Sequence, residues 1–404
     1  MTSPLSAVVA GHLCLDIFPN FESLPSGKFE TIFKPGRLLE VSAAQFSTGG
    51  PVSNTGLALH HLGVPVNLIA KIGADPFGQI VRDLINRRDP RLIEGIVVDP
   101  SATTSYSVII SPPALDRIFL HCTGANDTFI ANDVSYDLSA QAALFHFGYP
   151  SLMRQMFLTF GKETADMMRR VKAAGTTTSM DMSFPDAASD SGRADWRTIF
   201  AATLPYVDIF LPSLEEMLFV LHNDIFEKLC AKGEVLDQIT PGLLHDLSGE
   251  LLAMGARIVV LKLGSKGLYL RTGTISALEG LGHARPNNWR EWANREMWVP
   301  CYQVNVVGTT GSGDATIAGF LSALLRGMLP EQAMTMAVAV GACNVEASDA
   351  LSGLKTWEDT LKRVELGWTR HSLALKEFGW RQTPINQLWL GVSDRQINTD
   401  VTQP

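Results

Sequence analysis

Gly311-Ser312-Gly313-Asp314 is the segment of this chain whose residue types and order best suit chemistry. A β-branched run precedes it. Ile317, Phe320, Leu321, Leu324 and Leu325 follow at the 3-to-4 spacing of a helix with one apolar face. Small residues let the backbone turn sharply and leave several N–H groups unpaired at the helix start. Those donors, with the positive end of the helix dipole, suit a phosphate. A carboxylate at the mouth of an anion site is out of place electrostatically unless it has a task. Asp314 there can take a proton from a hydroxyl attacking a bound phosphoryl group. The alternative is that Asp314 caps the helix. The turn is not a Walker A loop, because no Gly-Lys-Ser/Thr follows the glycines.

Such a turn must be positioned by a strand before it and by elements packed on its helix. Ala7 to Ala10 is a short apolar run ending at Gly11, suited to a buried strand. The patterning predicts a helix over Asn54 to Leu62 and a strand over Val64 to Ile72. It predicts further strands over Leu144 to Phe147, Thr177 to Met180, Val207 to Leu211 and Ile258 to Leu263, with helices such as Glu163 to Ala174 and Leu243 to Met254 between them. This alternation indicates βαβ units and a mostly parallel sheet, an α/β fold. Lys28 to Phe46 and Thr103 to Phe129 break the rhythm, being rich in β-formers and turns. They read as an antiparallel appendage on the α/β body or as surface loops. Leu281 to Pro300, with Trp289, Trp292 and Trp298 among charges, reads as an insertion between strands. From Trp357 the chain reads as an amphipathic extension that frays at Asn398 to Pro404.

Composition narrows the function. Of 404 residues, 46% are hydrophobic and 18% charged, which supports a large core and excludes an intrinsically disordered chain. Lys and Arg number 33 against 41 Asp and Glu, a net charge of -8 that argues against nucleic acid or an anionic membrane as partner. The 5 cysteines stand apart without C-x-x-C spacing, and their odd number leaves a free thiol, as in a reducing compartment. No basic leader precedes the first apolar run, and no uncharged apolar run reaches the roughly 18 to 20 residues that span a bilayer. The expectation is a cytoplasmic protein. The histidines show no ligand spacing. His60 and His61 are helix neighbours that cannot face one metal, so no zinc site is expected.

Thr309-Thr310-Gly311-Ser312-Gly313-Asp314, followed by Ala318-Gly319-Phe320, resembles the second motif of the ribokinase-like sugar kinases, the phosphofructokinase-B family. That motif reads D-T-x-G-A-G-D before a helix containing A-G. Gly49-Gly50-Pro51-Val52-Ser53-Asn54 is similar to the family's first motif, with Gly63 and Gly73 following at the expected spacing. Val52 and Gly56 are small departures. The resemblance spans about residues 5 to 350. It implies a ribokinase-like three-layer α/β/α sandwich with a small β-sheet lid: a kinase domain over 1–356, lid segments at 28–46 and 103–129, an insertion at 281–300 and a C-terminal extension at 357–404.

The resemblance also implies roles. Asp314 would be the catalytic base, and Gly311, Ser312 and Gly313 the anion hole. Gly308 stands where the family has an Asp in a loop that can bind a monovalent cation, so potassium activation is in question. Asp16, at the end of the first strand, Gly50 and Asn54 would bind substrate hydroxyls, and Asn54 would begin a helix, where it equally suits a cap. Arg117 and Asn126 would face a sugar from the lid or sit on the surface of a hairpin. Pro212-Ser213-Leu214-Glu215-Glu216 resembles P-N-x-x-E, which organises magnesium and phosphate through waters; Glu216 is the metal candidate, and Ser213 with Glu216 also fits a capping box. Leu261-Lys262-Leu263-Gly264-Ser265-Lys266-Gly267 resembles the T-x-G-x-x-G segment beside the nucleotide. Gly264, Gly267, Thr310 and Asn344 are nucleotide candidates, while Lys262 reads as a strand-end surface charge in preference to a phosphate ligand. Asp181-Met182-Ser183-Phe184-Pro185 lacks the Asn and Arg of D-x-N-x-R, which favours an unphosphorylated substrate.

The expectation is therefore an ATP- and magnesium-dependent kinase of a small sugar or polyol, with a homodimer through the lid. The alternatives are a nucleoside kinase, in which Phe18, Phe147 and Tyr149 would clamp a base, and a non-catalytic interaction protein of the same shape.

Overall fold

The computed structural model describes residues 5–21, 32–112, 118–375, 379–383 and 387–395. Its strands, in chain order, are β1 (Ala7–Gly11), β2 (Cys14–Asn20), β3 (Ser42–Gly49), β4 (Val66–Gly73), β5 (Ile96–Asp99), β6 (Tyr106–Ile110), β7 (Ile118–Cys122) and β8 (Leu144–Gly148). Then follow β9 (Thr177–Met180), β10 (Ile209–Phe210), β11 (Ile258–Lys262), β12 (Leu268–Thr272), β13 (Glu296–Val299), β14 (Arg381–Gln382) and β15 (Trp389–Leu390).

Short apolar strands such as β1 and β8 are buried at every position, as a sheet covered on both faces requires. Eleven strands form one sheet in the order β14-β15-β13-β12-β11-β10-β9-β8-β1-β4-β5. All pairings from β5 to β11 are parallel, and β12, β13, β15 and β14 continue the sheet antiparallel. Alternate residues of β1 serve opposite faces. Ala7 and Val9 join the core under helices Pro51–His61, Ser312–Leu325 and Pro330–Asn344. Val8 and Ala10 join the core under Arg154–Ala173, Trp196–Thr203, Leu214–Leu221 and Pro241–Ala253. The result is a three-layer α/β/α sandwich, the architecture that the resemblance implies. Truncating a fully buried member such as Phe320 to Ala would cost about 3–5 kcal/mol.

The lid is a second sheet, ordered β3-β2-β6-β7. It is mixed, not purely antiparallel as expected: β2 pairs with β6 in parallel, Leu15 opposite Tyr106. The cause is that β2 leaves the core directly, with only His12 and Leu13 between it and β1. Asp16 is therefore on a lid strand and not at the end of the first core strand. Residues 22–31, and hence the start of the first lid segment, lie outside the described residues.

The tryptophan-rich stretch differs from an insertion. It contains β13, an internal strand of the main sheet, and Trp292 and Trp298 are buried. Its charges misled because they are paired inside the protein. Arg295 Nε donates to Asp394 Oδ2 at 2.9 Å, and Glu296 Oε1 accepts from Tyr269 Oη at 2.7 Å. The C-terminal extension is also part of the body. His371 N–H donates to Cys301 O at 2.8 Å, and β14 and β15 complete the sheet edge. Among the described residues, no helix is long and apolar enough to cross a membrane.

Candidate active site

Parallel strands place their carboxyl ends along one edge, where ligands of open α/β sheets bind. Here that edge carries His12 after β1, Tyr149 after β8, Asp181 after β9 and Lys262 at the end of β11. The helix Ser312–Leu325 starts beside them, with Gly311 as its N-cap at φ 71, a left-handed conformation that favours glycine. Asp314 lies in its first turn and is 3% exposed. It does not cap the helix. Its Oδ1 accepts from Thr55 Oγ1 at 3.2 Å and Tyr149 Oη at 3.1 Å, and its Oδ2 accepts from Asn54 Nδ2 at 3.0 Å and Tyr149 Oη at 2.9 Å. Burial pushes the Asp314 carboxyl above its ordinary value, against the pull of the Asn54 amide, the Lys262 charge and the Tyr149 and Thr55 hydroxyls. A buried, oriented carboxylate with a raised proton affinity is what a general base needs.

Asn54 does not begin its helix. Helix Pro51–His61 starts earlier, with Gly50 as N-cap at φ 84, where a side chain would meet His12 O at 2.5 Å. The Asn54 N–H is spent on Gly50 O at 2.8 Å, so capping is excluded, and its amide turns to Asp314. Its Oδ1 is buried with no hydrogen-bond partner among the described residues.

On the lid side, the carboxylate of Asp16 packs over Gly49, where a Cβ would lie 2.3 Å from Oδ2. Burial raises its pKa to about 6, opposed by hydrogen bonds from Cys14 and Ser107. His121, on β7, reaches Ser107 Oγ at 3.0 Å through Nδ1 and His12 Nε2 at 3.4 Å through Nε2. Burial, then His121, lowers the His12 pKa to about 3, so this imidazole is neutral. Asn126 is held otherwise than expected: its Oδ1 accepts from Leu13 N and its Nδ2 donates to Leu13 O, tying the lid to the core. Arg117 lies outside the described residues.

A cavity of about 300 Å³ opens on the other side of the turn. Gly264, Gly267, Thr309, Ser312, Gly313 and Lys262 line it, and so does His371 from the C-terminal extension. Thr310 is not among the lining residues. Nor is Asn344, whose Nδ2 donates to Ala350 O at 2.6 Å behind the wall. Ser213 and Glu216 form the capping box: Ser213 N donates to Glu216 Oε2 at 2.7 Å, and Glu216 N donates to Ser213 Oγ at 3.1 Å. Burial raises the Glu216 pKa, against the pull of Lys262.

Lys262 is not a surface charge. Its side chain is 14% exposed and its Nζ lies 3.9 Å from Asp181 Oδ2. Asp181 is fully buried, and neither of its oxygens has a hydrogen-bond partner among the described residues. Gly308 fits closely against a neighbouring turn, since a Cβ there would meet Ala347 O at 2.9 Å and Ser348 Cα at 2.9 Å.

Sequence reasoning passed over Thr55 and His12, and it gave Tyr149 a place only as a base clamp, where the structure shows its hydroxyl bonded to Asp314. Tyr149 turns at φ 62 immediately after β8, a conformation that no residue pattern announced. Phe147, another of the three proposed clamp residues, is in the core, stacked on Phe129 with ring centroids 6.4 Å apart.

The chain resembles known proteins in sequence and in fold. A family model described as pfkB family carbohydrate kinase matches residues 6–357. An uncharacterized sugar kinase of Archaeoglobus fulgidus is 24% identical over 298 residues, 74% of this chain and 98% of that protein. Fructokinase-1 of Oryza sativa subsp. japonica is 24% identical over 342 residues, 81% of this chain and 91% of its own length. The structure of Arabidopsis thaliana ribokinase complexed with ribose and ATP superposes with a TM-score of 0.64 at 18% identity, covering 89% of this chain and 98% of that one.

Proposed function

The chain belongs to the pfkB family of carbohydrate kinases, and on that footing we propose that it phosphorylates a hydroxyl of an unphosphorylated sugar or polyol, with ATP as donor. The observation that carries this reading is Asp314: a buried carboxylate, raised in proton affinity, at the first turn of a helix whose amide end opens on a cavity.

In this reading the acceptor lies between lid and core, with Asp16 and Asn54 orienting its hydroxyls beside Gly50. Asp314 takes the proton of the attacking hydroxyl. The new bond joins that oxygen to the γ-phosphorus, and the bond to the β,γ-bridging oxygen breaks, leaving ADP and the phosphate ester. The Gly311–Gly313 amides stabilise charge on the transferring group, so that positioning and electrostatics supply most of the rate. Tyr149 and Thr55 hold the carboxylate in line.

Magnesium fits this donor set: it needs one or two carboxylates besides phosphate oxygens and water, and Glu216 meets that together with Asp181, whose oxygens accept no hydrogen bond among the described residues. Glu216 would hold it, through water, and it would neutralise phosphate charge. Gly308 leaves no acid for a monovalent cation in this turn. Gly264 and Gly267 would flank the nucleotide. The lid exposes Phe46, Phe119 and Leu120, which supports a homodimer closed through this sheet. Sedimentation of a Phe119→Glu/Leu120→Glu variant as a monomer, against a dimeric parent, is the expected result.

The test of function is ADP release with ATP and magnesium across sugars, polyols and nucleosides. Turnover on a sugar or polyol that Asp314→Asn abolishes is expected; turnover confined to nucleosides would replace the substrate class.

A further inference from the structure

We propose that Lys262 is a catalytic residue, its ammonium group bonded to the phosphoryl being transferred and stabilising the charge that grows there. This deepens the kinase reading and rests on it.

The argument begins with where β11 ends. Lys262 is its last residue, hydrogen-bonded through its N–H to Pro212 O at 2.9 Å, so the backbone is fixed by the sheet. From there the side chain runs along the first turn of helix Ser312–Leu325. A Cβ built on Gly313 would have Lys262 Cδ, Nζ and Cε as its nearest neighbours, at 3.6, 3.7 and 3.8 Å. The ammonium thus lies against the backbone of that first turn, and both Lys262 and Gly313 line the cavity.

The ammonium is also unspent. Among the described residues its one ion pair is with Asp181 at 3.9 Å, beyond hydrogen-bond length. A mostly buried ammonium has three donors to satisfy. The histidine that faces Asp181, His146 at 3.8 Å, is neutral, since burial takes its pKa down to about 3. Lys262 is the cation acting on three buried carboxyls, Asp181, Glu216 and Asp314. Among the described residues that line the cavity, Lys262 is the one lysine or arginine, so its charge is the one a polyphosphate would meet there. The phosphate oxygens then complete the hydrogen bonding that Asp181 leaves unfinished. A structural ion pair would instead show the short contact typical of the strong pairs elsewhere in this protein, such as Lys172 Nζ to Asp208 Oδ2 at 2.5 Å.

The experiment compares Lys262→Met and Lys262→Arg with the parent, measuring kcat, acceptor KM and, by calorimetry with magnesium present, affinity for ATP and ADP. Lys262→Met is expected to lose ~10²–10³-fold in kcat with acceptor KM within about threefold, as for removal of one preorganised donor. Its affinity for ATP should fall about tenfold and that for ADP less than about threefold, while Lys262→Arg should recover at least about a tenth of the turnover. Turnover of Lys262→Met within about threefold of the parent overturns the proposal. So does an equal loss of ATP and ADP affinity that Arg does not relieve, which marks a structural pair with Asp181. If Lys262→Met does not fold, Lys262→Gln, uncharged but polar, is read the same way. A parent that binds ATP but transfers to no acceptor defeats the kinase reading, while the ATP-against-ADP comparison still decides Lys262.

Discussion

At the proposed phosphoryl end of the site, Asp314 is 3% exposed and is held by Asn54, Thr55 and Tyr149, all carried by the body of the sandwich. At the acceptor end, Asp16 stands on a lid strand, and its sheet ends at β7, where Phe119 is 55% and Leu120 54% exposed. Groups that must keep their geometry through phosphoryl transfer belong on elements buried on all sides, where packing fixes rotamers. Groups that choose among acceptors belong on a thin sheet whose few contacts can shift. The two are joined where Asn126 clasps Leu13 at the base of the lid, His121 meets His12, Thr48 bonds to Ser53 and Leu15 enters the core.

The largest break in this contrast comes from the phosphoryl end. Asp314→Asn should cut kcat by about 10³-fold or more, with acceptor KM nearly unchanged. Its melting temperature should hold or rise, because a buried carboxyl that resists ionisation has been replaced by a neutral amide of the same shape. At the acceptor end the pattern should invert. Asp16→Asn is expected to raise acceptor KM about 10- to 100-fold, with a smaller loss in kcat at saturation. Steady-state kinetics on both variants checks the contrast. An equal split of kcat and KM effects in the two would mean that the ends work as one unit.

The same contrast governs what could be read from residues alone. Gly311 to Asp314 and Gly49 to Asn54 were legible because glycines in series before a helix have few other uses, and because strand and helix periods differ. The path of the lid was not. Cys14–Asn20 has the composition of any half-buried strand, and nothing local says that it turns out of the core two residues after β1. Lys262 and the Trp289–Trp298 stretch failed for a related reason: a charge at a strand end reads as solvated until the chain that covers it is known. Tyr149 was invisible as a partner of Asp314, since a hydrogen bond across 165 residues leaves no mark on spacing.

A smaller effect sharpens the account of the base. The Tyr149 hydroxyl donates to both oxygens of Asp314 and so favours the ionised form. Tyr149→Phe removes that donor without changing the ring, so the Asp314 pKa, already raised by burial, should rise further. The acid limb of the pH–kcat profile would then move to higher pH, with about a tenfold loss near neutrality. An unmoved acid limb would separate Tyr149 from the base.

The smallest effect concerns stability, and it distinguishes the two carboxylates without any substrate. Asp16 has a folded pKa of about 6 against an ordinary value of 3.8. Between those values the folded protein holds a proton that the unfolded chain has lost, so stability falls as pH rises from about 4 to about 6. Below that window the contribution is fully present; above it, the folded state bears the cost of a desolvated charge. Asp181, Glu216 and Asp314 are also shifted upward by burial and add slopes of the same sign. Asp16→Asn should therefore flatten, but not abolish, the fall in melting temperature across this window. The remaining slope should shrink when Asp314→Asn is added, because the two groups titrate at opposite ends of the site. If Asp16→Asn leaves the curve unchanged, Asp16 is better solvated than its place over Gly49 implies, and the lid stands further from the core than the hydrogen bonds of Asn126 and His121 require.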